Sequence, residues 1–159
     1  MTTTIQKARG EDAIEIAELL RGLEVFAHLS DETPEATGLR IQEHLQLCLA
    51  DASHTVLISR DASKRLTGYL SVHWLPYFIL KAPEGFVSEL FVDNASRGQG
   101  VGKRLLDVAK TEAEARGCSR LSLLNFRNGE SYQRQFYAKN GWQERTDAAN
   151  FVFPISTGN

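Results

Sequence analysis

The chain has little of several features that would assign it to a specialised class. Its 159 residues carry a formal net charge of only −2, whereas a domain that binds duplex nucleic acid normally has a basic surface. Two cysteines are too few for a framework of several disulfides. No apolar run reaches the length that spans a membrane, and residues 1–7 lack an apolar signal core. These absences predict a cytoplasmic protein with no nucleic-acid and no membrane partner.

Metal ligands are not grouped in the sequence either. The spacing of the histidines is not that of metal ligands, and no cysteine joins them, so we predict no metal site. Cys48 and Cys118 lie in apolar segments, which is typical of buried free thiols. The four histidines are His28, His44, His54 and His73.

The remaining composition is that of an ordinary folded globule, with 42% hydrophobic and 24% charged residues. No repeat, linker or low-complexity segment divides it, so we predict a single domain over residues 1–159. The order of elements mixes hairpins with helical crossovers, which predicts an α/β (α+β) fold with a mixed sheet and helices on both faces. Periodicity predicts strands at 4–8, 55–59, 66–74, 86–92, 120–126, 142–145 and 150–155, and helices at 11–26, 34–50, 100–116 and 130–140.

A glycine-rich turn lies between a predicted strand and a predicted helix. It spans residues 97–102 and reads Arg-Gly-Gln-Gly-Val-Gly. Such a turn exposes backbone N–H groups at a helix N-terminus, where the helix dipole favours a phosphate or pyrophosphate. Lys103 and Arg104 follow in the first helical turn, where cations are unfavourable unless a polyanion binds beside them. The alternative is a glycine-rich surface turn that binds nothing.

Two better-known glycine motifs do not fit this turn. A P-loop requires glycine and then Ser or Thr at the positions held by Arg97 and Arg104. A dinucleotide fingerprint requires a third glycine where Lys103 stands. The pattern that remains, Arg-x-x-Gly-x-Gly after a strand, resembles the acyl-CoA pyrophosphate loop of the GNAT (N-acetyltransferase) superfamily.

A second segment strengthens this resemblance. Residues 136–142 read Phe-Tyr-Ala-Lys-Asn-Gly-Trp, which resembles the second GNAT motif, a helix that carries a tyrosine and is followed by a strand. It lies downstream of the glycine turn, after one helix and one strand, as in the family. Because both motifs occur in order, the resemblance is specific and covers most of the chain.

The resemblance implies a GNAT-like acyl-CoA N-acyltransferase fold, whose mostly antiparallel sheet contains a splayed parallel pair, here residues 86–92 and 120–126. It implies acetyl-CoA (CoA) as co-substrate, without a metal. The pantetheine arm would pair with one splayed strand as a pseudo-strand, and the glycine turn would hold the pyrophosphate. The implied cofactor-binding residues are Phe91, Val92, Arg97, Gly98, Gln99, Gly100, Val101, Gly102, Lys103 and Asn128.

The implied reaction transfers an acetyl group to a primary amine by direct attack in a ternary complex. The thiolate that leaves needs a proton, and thiol and phenol pKa values of about 8.5 and 10 let Tyr137 serve as general acid. Glu89 is the candidate base, because it alternates with Val87 and Phe91 among apolar neighbours, where burial would raise its pKa. Two alternatives stay open for the base: Glu89 pairs with a cation or reaches solvent at the sheet edge, and a water chain removes the proton.

Some positions depart from the family pattern. Glu130 and Gln133 stand where these helices usually have Asn and Ala, so Asn128, Asn125 or Ser131 is expected to supply the pantetheine hydrogen bond. The resemblance implies that the acceptor, a small-molecule or peptide amine, binds where the first helix–helix loop, near 28–35, and the last hairpin, near 146–150, shape the site. Their acidic residues are Asp31, Glu32, Glu35 and Asp147, which predicts a preference for a cationic amine.

Three further hypotheses accompany this interpretation. The first is a non-catalytic CoA-binding or sensing domain, which would bind CoA without turning over amines. The second is a nucleotide-phosphate module of another fold, in which ATP would compete with CoA. The third concerns assembly, since a homodimer is frequent in the family.

Overall fold

Five strands pair in chain order to form one mixed sheet in the computed structural model, which describes residues 2–156. The first four strands are antiparallel to their neighbours, and the fourth and fifth are parallel. This confirms the predicted mixed sheet with one parallel pair. The strands are β1 (Thr4–Lys7), β2 (His54–Arg60), β3 (Leu66–Leu75), β4 (Glu84–Val92) and β5 (Arg120–Leu123).

The described residues divide between Leu124 and Asn125 into two compact units, an N-terminal unit and a C-terminal unit. The whole sheet belongs to the N-terminal unit. The prediction of a single domain over the whole chain stays a prediction. Among the residues that the structure describes, no helix has the length and apolar character needed to cross a membrane.

Helices pack on both faces of the sheet. These helices are α1 (Ala13–Arg21), α2 (Pro34–Leu49) and α3 (Val101–Ala115). Apolar side chains of α1 and α2 form one core with Val56, Ile58 and Tyr69. Side chains alternate along a strand, so Thr55 and Leu57 face the other side, where Thr55 accepts a hydrogen bond from Trp74 and donates one to Glu112 of α3. The sheet is therefore covered by α1 and α2 on one face and by α3 on the other.

The first predicted helix, at 11–26, is shorter in the structure. It ends at Arg21, and a 3₁₀ segment at Glu24–Asp31 follows, interrupted at Phe26. The Arg21 guanidinium donates to the carbonyls of Leu29 and Glu32 at 2.7 and 2.9 Å, which holds this segment back against α1. Long-range bonds of this kind are not visible in the local pattern.

The start of α2 was predicted correctly. Thr33 is its N-cap, since its hydroxyl accepts a hydrogen bond from the Ala36 N–H at 3.1 Å, and Pro34 occupies the first helical position. Proline is favoured there because it has no N–H to satisfy. A Thr33→Ala change should therefore cost about 1 kcal/mol of stability.

The C-terminal unit contains two short helices, α4 (Glu130–Gln133) and α5 (Phe136–Lys139). The prediction of one helix over 130–140 is wrong, because Gln135 adopts a left-handed conformation with φ of 55° and breaks the hydrogen-bond ladder. The predicted strand at 120–126 also ends earlier, at Leu123.

The two predicted C-terminal strands, at 142–145 and 150–155, are not formed. Local hydrogen bonds hold the first segment: the Trp142 N–H donates to the Tyr137 carbonyl, and Glu144 accepts from Tyr132. The second segment lies outside any strand, with Phe151 and Phe153 at 91% and 85% exposure. Its alternating pattern predicted a strand, but a strand also needs a neighbour to pair with.

Glu84 anchors the paired end of the parallel strands. Its side chain is buried, and its carboxylate accepts hydrogen bonds from the Arg120 guanidinium and the Ser122 hydroxyl of β5. We expect Glu84→Ala to lower the free energy of unfolding by about 1–3 kcal/mol, since it leaves Arg120 and Ser122 without their acceptor. Urea denaturation measures this loss. Glu114→Ala on the exposed side of α3 is the control, and an equal loss there would contradict the assignment.

Candidate functional site

The parallel strands β4 and β5 pair along only part of their length. Their register runs from Glu84–Arg120 to Val87–Leu123 and then stops. Beyond that point β4 continues to Val92 and keeps its pairing with β3. Within the described residues, no strand pairs with the other edge of β4 after Val87. The sheet therefore has a gap at which backbone groups of residues 88–92 can accept a ligand as an added strand.

A β-bulge at Ser88 marks the start of this gap. Ser71 pairs with Glu89 while Val72 pairs with Val87, so Ser88 is an extra residue. A bulge bends its strand and increases the local twist. It also corrects the predicted alternation, because Glu89 shares a face with Phe91 and not with Val87. The bulge thus directs Glu89 to the face that α1 and α2 cover.

The glycine turn follows β4 after a short 3₁₀ turn at Asn94–Ser96 and has the geometry of an anion site. Gly98 and Gly100 have φ of 76° and 78°, and nothing lies within 4 Å of the position that a Cβ would take at either residue. Among the described residues, no acceptor is found for the backbone N–H groups of residues 98–103. Several free N–H groups in an exposed turn at the N-terminus of a 15-residue helix favour a diphosphate.

Side chains around the turn hold it in place. Asp93 accepts hydrogen bonds from the Ala95 N–H, the Ser96 hydroxyl and the Arg65 guanidinium, the last at 2.6 Å. The Gln99 side chain donates to the Ala95 carbonyl at 3.0 Å. These bonds fix the backbone on the strand side of the turn.

Arg104 and Lys103, two cations near the turn, make different contacts. Arg104 donates to the Gln99 carbonyl and the Thr3 hydroxyl, which ties the turn to the start of the chain. Lys103 lies 2.6 Å from the Asp107 carboxylate, so part of its charge is already balanced. The side chain of Val101 is buried in the core, which anchors the first residue of α3.

Glu89 lies next to the gap, on the side of α2. Its side chain is exposed, yet enough protein surrounds the carboxylate that desolvation raises its pKa above the usual 4.5. The Tyr69 hydroxyl and His44 act in the opposite direction and lower the pKa of this carboxyl. A carboxylate of raised proton affinity beside an open strand edge has the properties of a general base.

Phe91 of β4 contacts the 3₁₀ segment between α1 and α2. Its ring packs edge-on against Phe26 at 4.9 Å and lies 5.9 Å from the ring of Tyr69. His28 in turn contacts Phe26, with ring centroids 6.0 Å apart. His28, Phe26 and Phe91 thus form a row of ring contacts from the 3₁₀ segment to β4, in which Phe91 lies two residues after Glu89.

In the C-terminal unit, Tyr137 lies in α5 and is half-buried. Its ring packs edge-on against Phe136 and Trp142, at 5.0 and 6.0 Å between centroids. Burial raises the pKa of Tyr137 to about 12. The hydroxyl therefore remains protonated throughout the neutral range, and it is a weaker acid than an unperturbed phenol, whose pKa is about 10.

The asparagines of this unit have different surroundings. Asn125 accepts a hydrogen bond from the Ser131 hydroxyl at 2.8 Å, so the two alternatives proposed for the pantetheine contact lie together. Asn128 is exposed in the turn before α4. Its role in cofactor binding stays a prediction.

Neither the histidines nor the cysteines form a metal centre. No group of three or more His, Cys, Asp or Glu side chains in residues 2–156 is arranged to hold a metal ion. Cys48 and Cys118 are both free and half-buried, and burial raises the pKa of each thiol. The prediction of free thiols is confirmed, although they are less buried than expected.

Comparison with protein families agrees with this geometry. The model of the acetyltransferase (GNAT) family matches residues 14–142. The chain belongs to the GNAT acetyltransferase family. The match includes both the glycine turn and the segment that carries Tyr137, so the two GNAT motifs recognised in the sequence belong to the shared domain.

Individual relatives support the assignment of GNAT fold. Glucosamine 6-phosphate N-acetyltransferase 1 of rice (Oryza sativa subsp. japonica) is 33% identical over 146 residues, 88% of this chain and 84% of that protein. A transcriptional regulator from Bacillus halodurans superposes with a TM-score of 0.83 at 19% identity, covering 96% of this chain and 100% of that one. The glucosamine-6-phosphate N-acetyltransferase of Arabidopsis thaliana has a TM-score of 0.75 at 18% identity, covering 97% and 100%. The two structural matches show a shared fold.

Sequence reasoning missed several residues of this candidate site. The pair Asp93–Arg65 and the role of Arg104 emerge only from the structure. Asp93 had a local signal, because an Asp just after a strand often accepts hydrogen bonds from the backbone two residues on. Tyr69 had none, since its approach to Glu89 depends on the pairing of β3 with β4.

Proposed function

We propose that this GNAT protein is an N-acetyltransferase that moves an acetyl group from acetyl-CoA to a primary amine by direct attack in a ternary complex. The observation that carries the proposal is the gap in the sheet after Val87–Leu123, with a glycine turn whose backbone N–H groups are open shortly after the end of β4. An extended arm and a diphosphate at its end are the two features of CoA that such a surface would bind.

The residues present fit CoA in charge and in space. The N–H groups of residues 98–103 would hold the pyrophosphate, with Arg97 and Lys103 beside them. Gly98 and Gly100 leave the approach open, since no atom lies where their side chains would be. Backbone groups near Phe91 and Val92 would pair with the pantetheine arm, and Asn128 or the Asn125–Ser131 pair would bind it from the other motif.

In this proposal Glu89 and Tyr137 each transfer one proton. A free primary amine with a pKa of about 10.4 is mostly protonated at neutral pH and must lose a proton to attack the thioester carbon. Glu89, directly or through water, takes that proton. When the carbon–sulfur bond breaks, Tyr137 gives its proton to the thiolate and regains one from solvent. No covalent intermediate on the protein is needed.

Tyr137→Phe should lower kcat by about 10²-fold, near the lower end for general acid catalysis, because a thiolate is already a good leaving group. CoA affinity should change little, since the ring remains. Stopped assays of thiol release measure kcat, and calorimetry measures CoA binding. Tyr132→Phe, in the same unit, is the control. An unchanged kcat for Tyr137→Phe would remove Tyr137 from the mechanism.

The proposed acceptor is a primary amine, and two observations bear on whether it is cationic or carries a phosphate. The predicted acidity of the segment at 28–35 is partly balanced, because Glu32 accepts hydrogen bonds from Arg40 at 2.9 Å and from Thr37 at 3.0 Å. The rice relative is named for an amino sugar phosphate, whereas the acidic segments favour a cationic amine. Both classes therefore belong in the acceptor panel.

A thiol-release assay with acetyl-CoA and an amine panel tests the proposal. The panel should contain a polyamine, a basic peptide, glucosamine 6-phosphate and an acidic amino acid. Turnover of at least one amine, with the acetylated product identified by mass spectrometry, is the expected result. CoA binding without turnover of any amine would instead favour a sensing domain, and displacement of CoA by ATP would favour a nucleotide-phosphate module.

A further inference from the structure

Tyr69 presents a buried hydroxyl with no assigned role. It lies in β3 and is 2% exposed. Within the described part of the chain, its hydroxyl has no hydrogen-bond partner at normal distance. A buried hydroxyl that makes no hydrogen bond is unfavourable and rare in folded proteins. Its position is therefore explained best by a partner that it meets during function.

The strand register points to that partner. Tyr69 pairs with Phe91, and Ser71 pairs with Glu89, so Tyr69 and Glu89 are diagonal neighbours on one face of the sheet. Diagonal neighbours lie about 7–8 Å apart at the backbone, within reach of long side chains. Burial raises the pKa of both groups, and each side chain also affects the other: the Glu89 charge raises the pKa of Tyr69 further, and the hydroxyl lowers the pKa of Glu89.

The other groups that face Glu89 come from α2. His44 favours the ionised carboxylate. The Cys48 thiol is kept neutral, because burial and the Glu89 charge both raise its pKa. His44 is exposed on the surface of the helix, so Tyr69 is the buried donor of this group.

We propose that Tyr69 is a positioning residue for the transfer reaction: its hydroxyl donates to the Glu89 carboxylate and fixes the orientation in which that carboxylate takes the proton of the acceptor amine. The proposal rests on the proposed function. It gives the buried hydroxyl its missing partner and leaves the second carboxylate oxygen for the amine or for an intervening water. Tyr69 acts through Glu89 and need not touch the substrate.

The test compares Tyr69→Phe with the wild-type protein as a function of pH. The acid limb of kcat/KM should move up by about one pH unit, because the ionised carboxylate loses a hydrogen bond. Activity below that limb should fall about tenfold, while activity on the plateau changes less. Tyr77→Phe, an exposed tyrosine in the loop after β3, is the matched control and should reproduce the wild-type profile.

A second measurement does not depend on activity. In protein labelled with ¹³C at glutamate carboxyls, the Glu89 resonance is identified by its loss in Glu89→Gln, and its titration midpoint should be higher in Tyr69→Phe. A purely structural role predicts no change in this midpoint. It also predicts equal or higher thermal stability for Tyr69→Phe, since only an unpaired hydroxyl is removed.

The outcomes separate the two proposals. If the titration midpoint of Glu89 and the acid limb of kcat/KM stay in place or move down in Tyr69→Phe, the role of Tyr69 is overturned. This holds even if the protein is an active acetyltransferase. If the wild-type protein acetylates no amine in the panel, the proposed function fails by itself, and the carboxyl titration still reports whether Tyr69 and Glu89 interact.

Discussion

Glu89→Gln should lower kcat/KM by about 10²- to 10⁴-fold at neutral pH, the usual contribution of a general base. The amide has nearly the shape of the carboxylate but cannot take a proton. In the wild-type protein activity should fall as the pH drops below the pKa of Glu89, which desolvation places above 4.5. This acid limb should be absent from the residual activity of the variant.

The Glu89→Gln substitution should not lower the stability of the protein, although it lowers the activity. A carboxyl whose folded-state pKa is raised binds protons more tightly when folded, so its contribution to stability is lost as the pH rises through that pKa. Glu89→Gln should therefore be as stable as the wild type or more stable at pH 7. The control is Glu114→Gln on the exposed side of α3, which removes the same charge. Full activity in Glu89→Gln would leave the water chain as the base.

Gly100→Val should weaken CoA binding by about 10- to 100-fold, which corresponds to one or two lost hydrogen bonds to a charged group. Gly100 has φ of 78° and precedes the first residue of α3. A β-branched residue strongly disfavours this conformation, so the turn must relax and the N–H groups lose their common direction. Isothermal titration calorimetry with CoA measures the effect.

Gly117 provides the matched control, because it has φ of 69° just beyond the other end of α3 and open space around it. Gly117→Val should cost a similar amount of stability, about 1–2 kcal/mol, and should leave CoA affinity unchanged. If both variants lose CoA affinity equally, the loss reflects a general destabilisation of α3. Only a selective loss in Gly100→Val supports the turn as the pyrophosphate site.

Much of the N-terminal unit could be predicted because its signals are local. Pro34 after Thr33, and the glycine turn between β4 and α3, each specify a backbone conformation within a few residues. β2 and β3 are buried on both faces, so their strands read as short apolar runs between turn residues, which is also a local signal. These are the elements whose type the structure confirms.

The errors arose where local periodicity does not decide the conformation. Arg21 holds the 3₁₀ segment against α1 through bonds to residues 8 and 11 positions away. Gln135 interrupts a helix although its own helix propensity is good. The segment at 150–155 has the alternation of a strand, but pairing requires a free neighbour that the pattern of one segment cannot report.

The candidate site divides in the same way. Its residue types were predictable, since a glycine turn, a tyrosine and a glutamate carry recognisable chemistry. The face on which Glu89 lies was assigned with the wrong neighbour, Val87, because the bulge at Ser88 changes the side-chain alternation. A bulge is a property of two paired strands, so no property of β4 alone could have placed it.

The bulge in β4 depends on a single extra residue, Ser88. If Ser88 were deleted, Val87 and Glu89 would become consecutive and would still pair with Val72 and Ser71. Every side chain of β4 would keep its face, while the bend that the extra residue introduces would be lost. A relative that had lost this single amino acid would keep the side-chain faces of β4 and would lack the bend at the start of the gap. A one-residue insertion or deletion at this point would thus change the course of the strand without changing the face of any side chain.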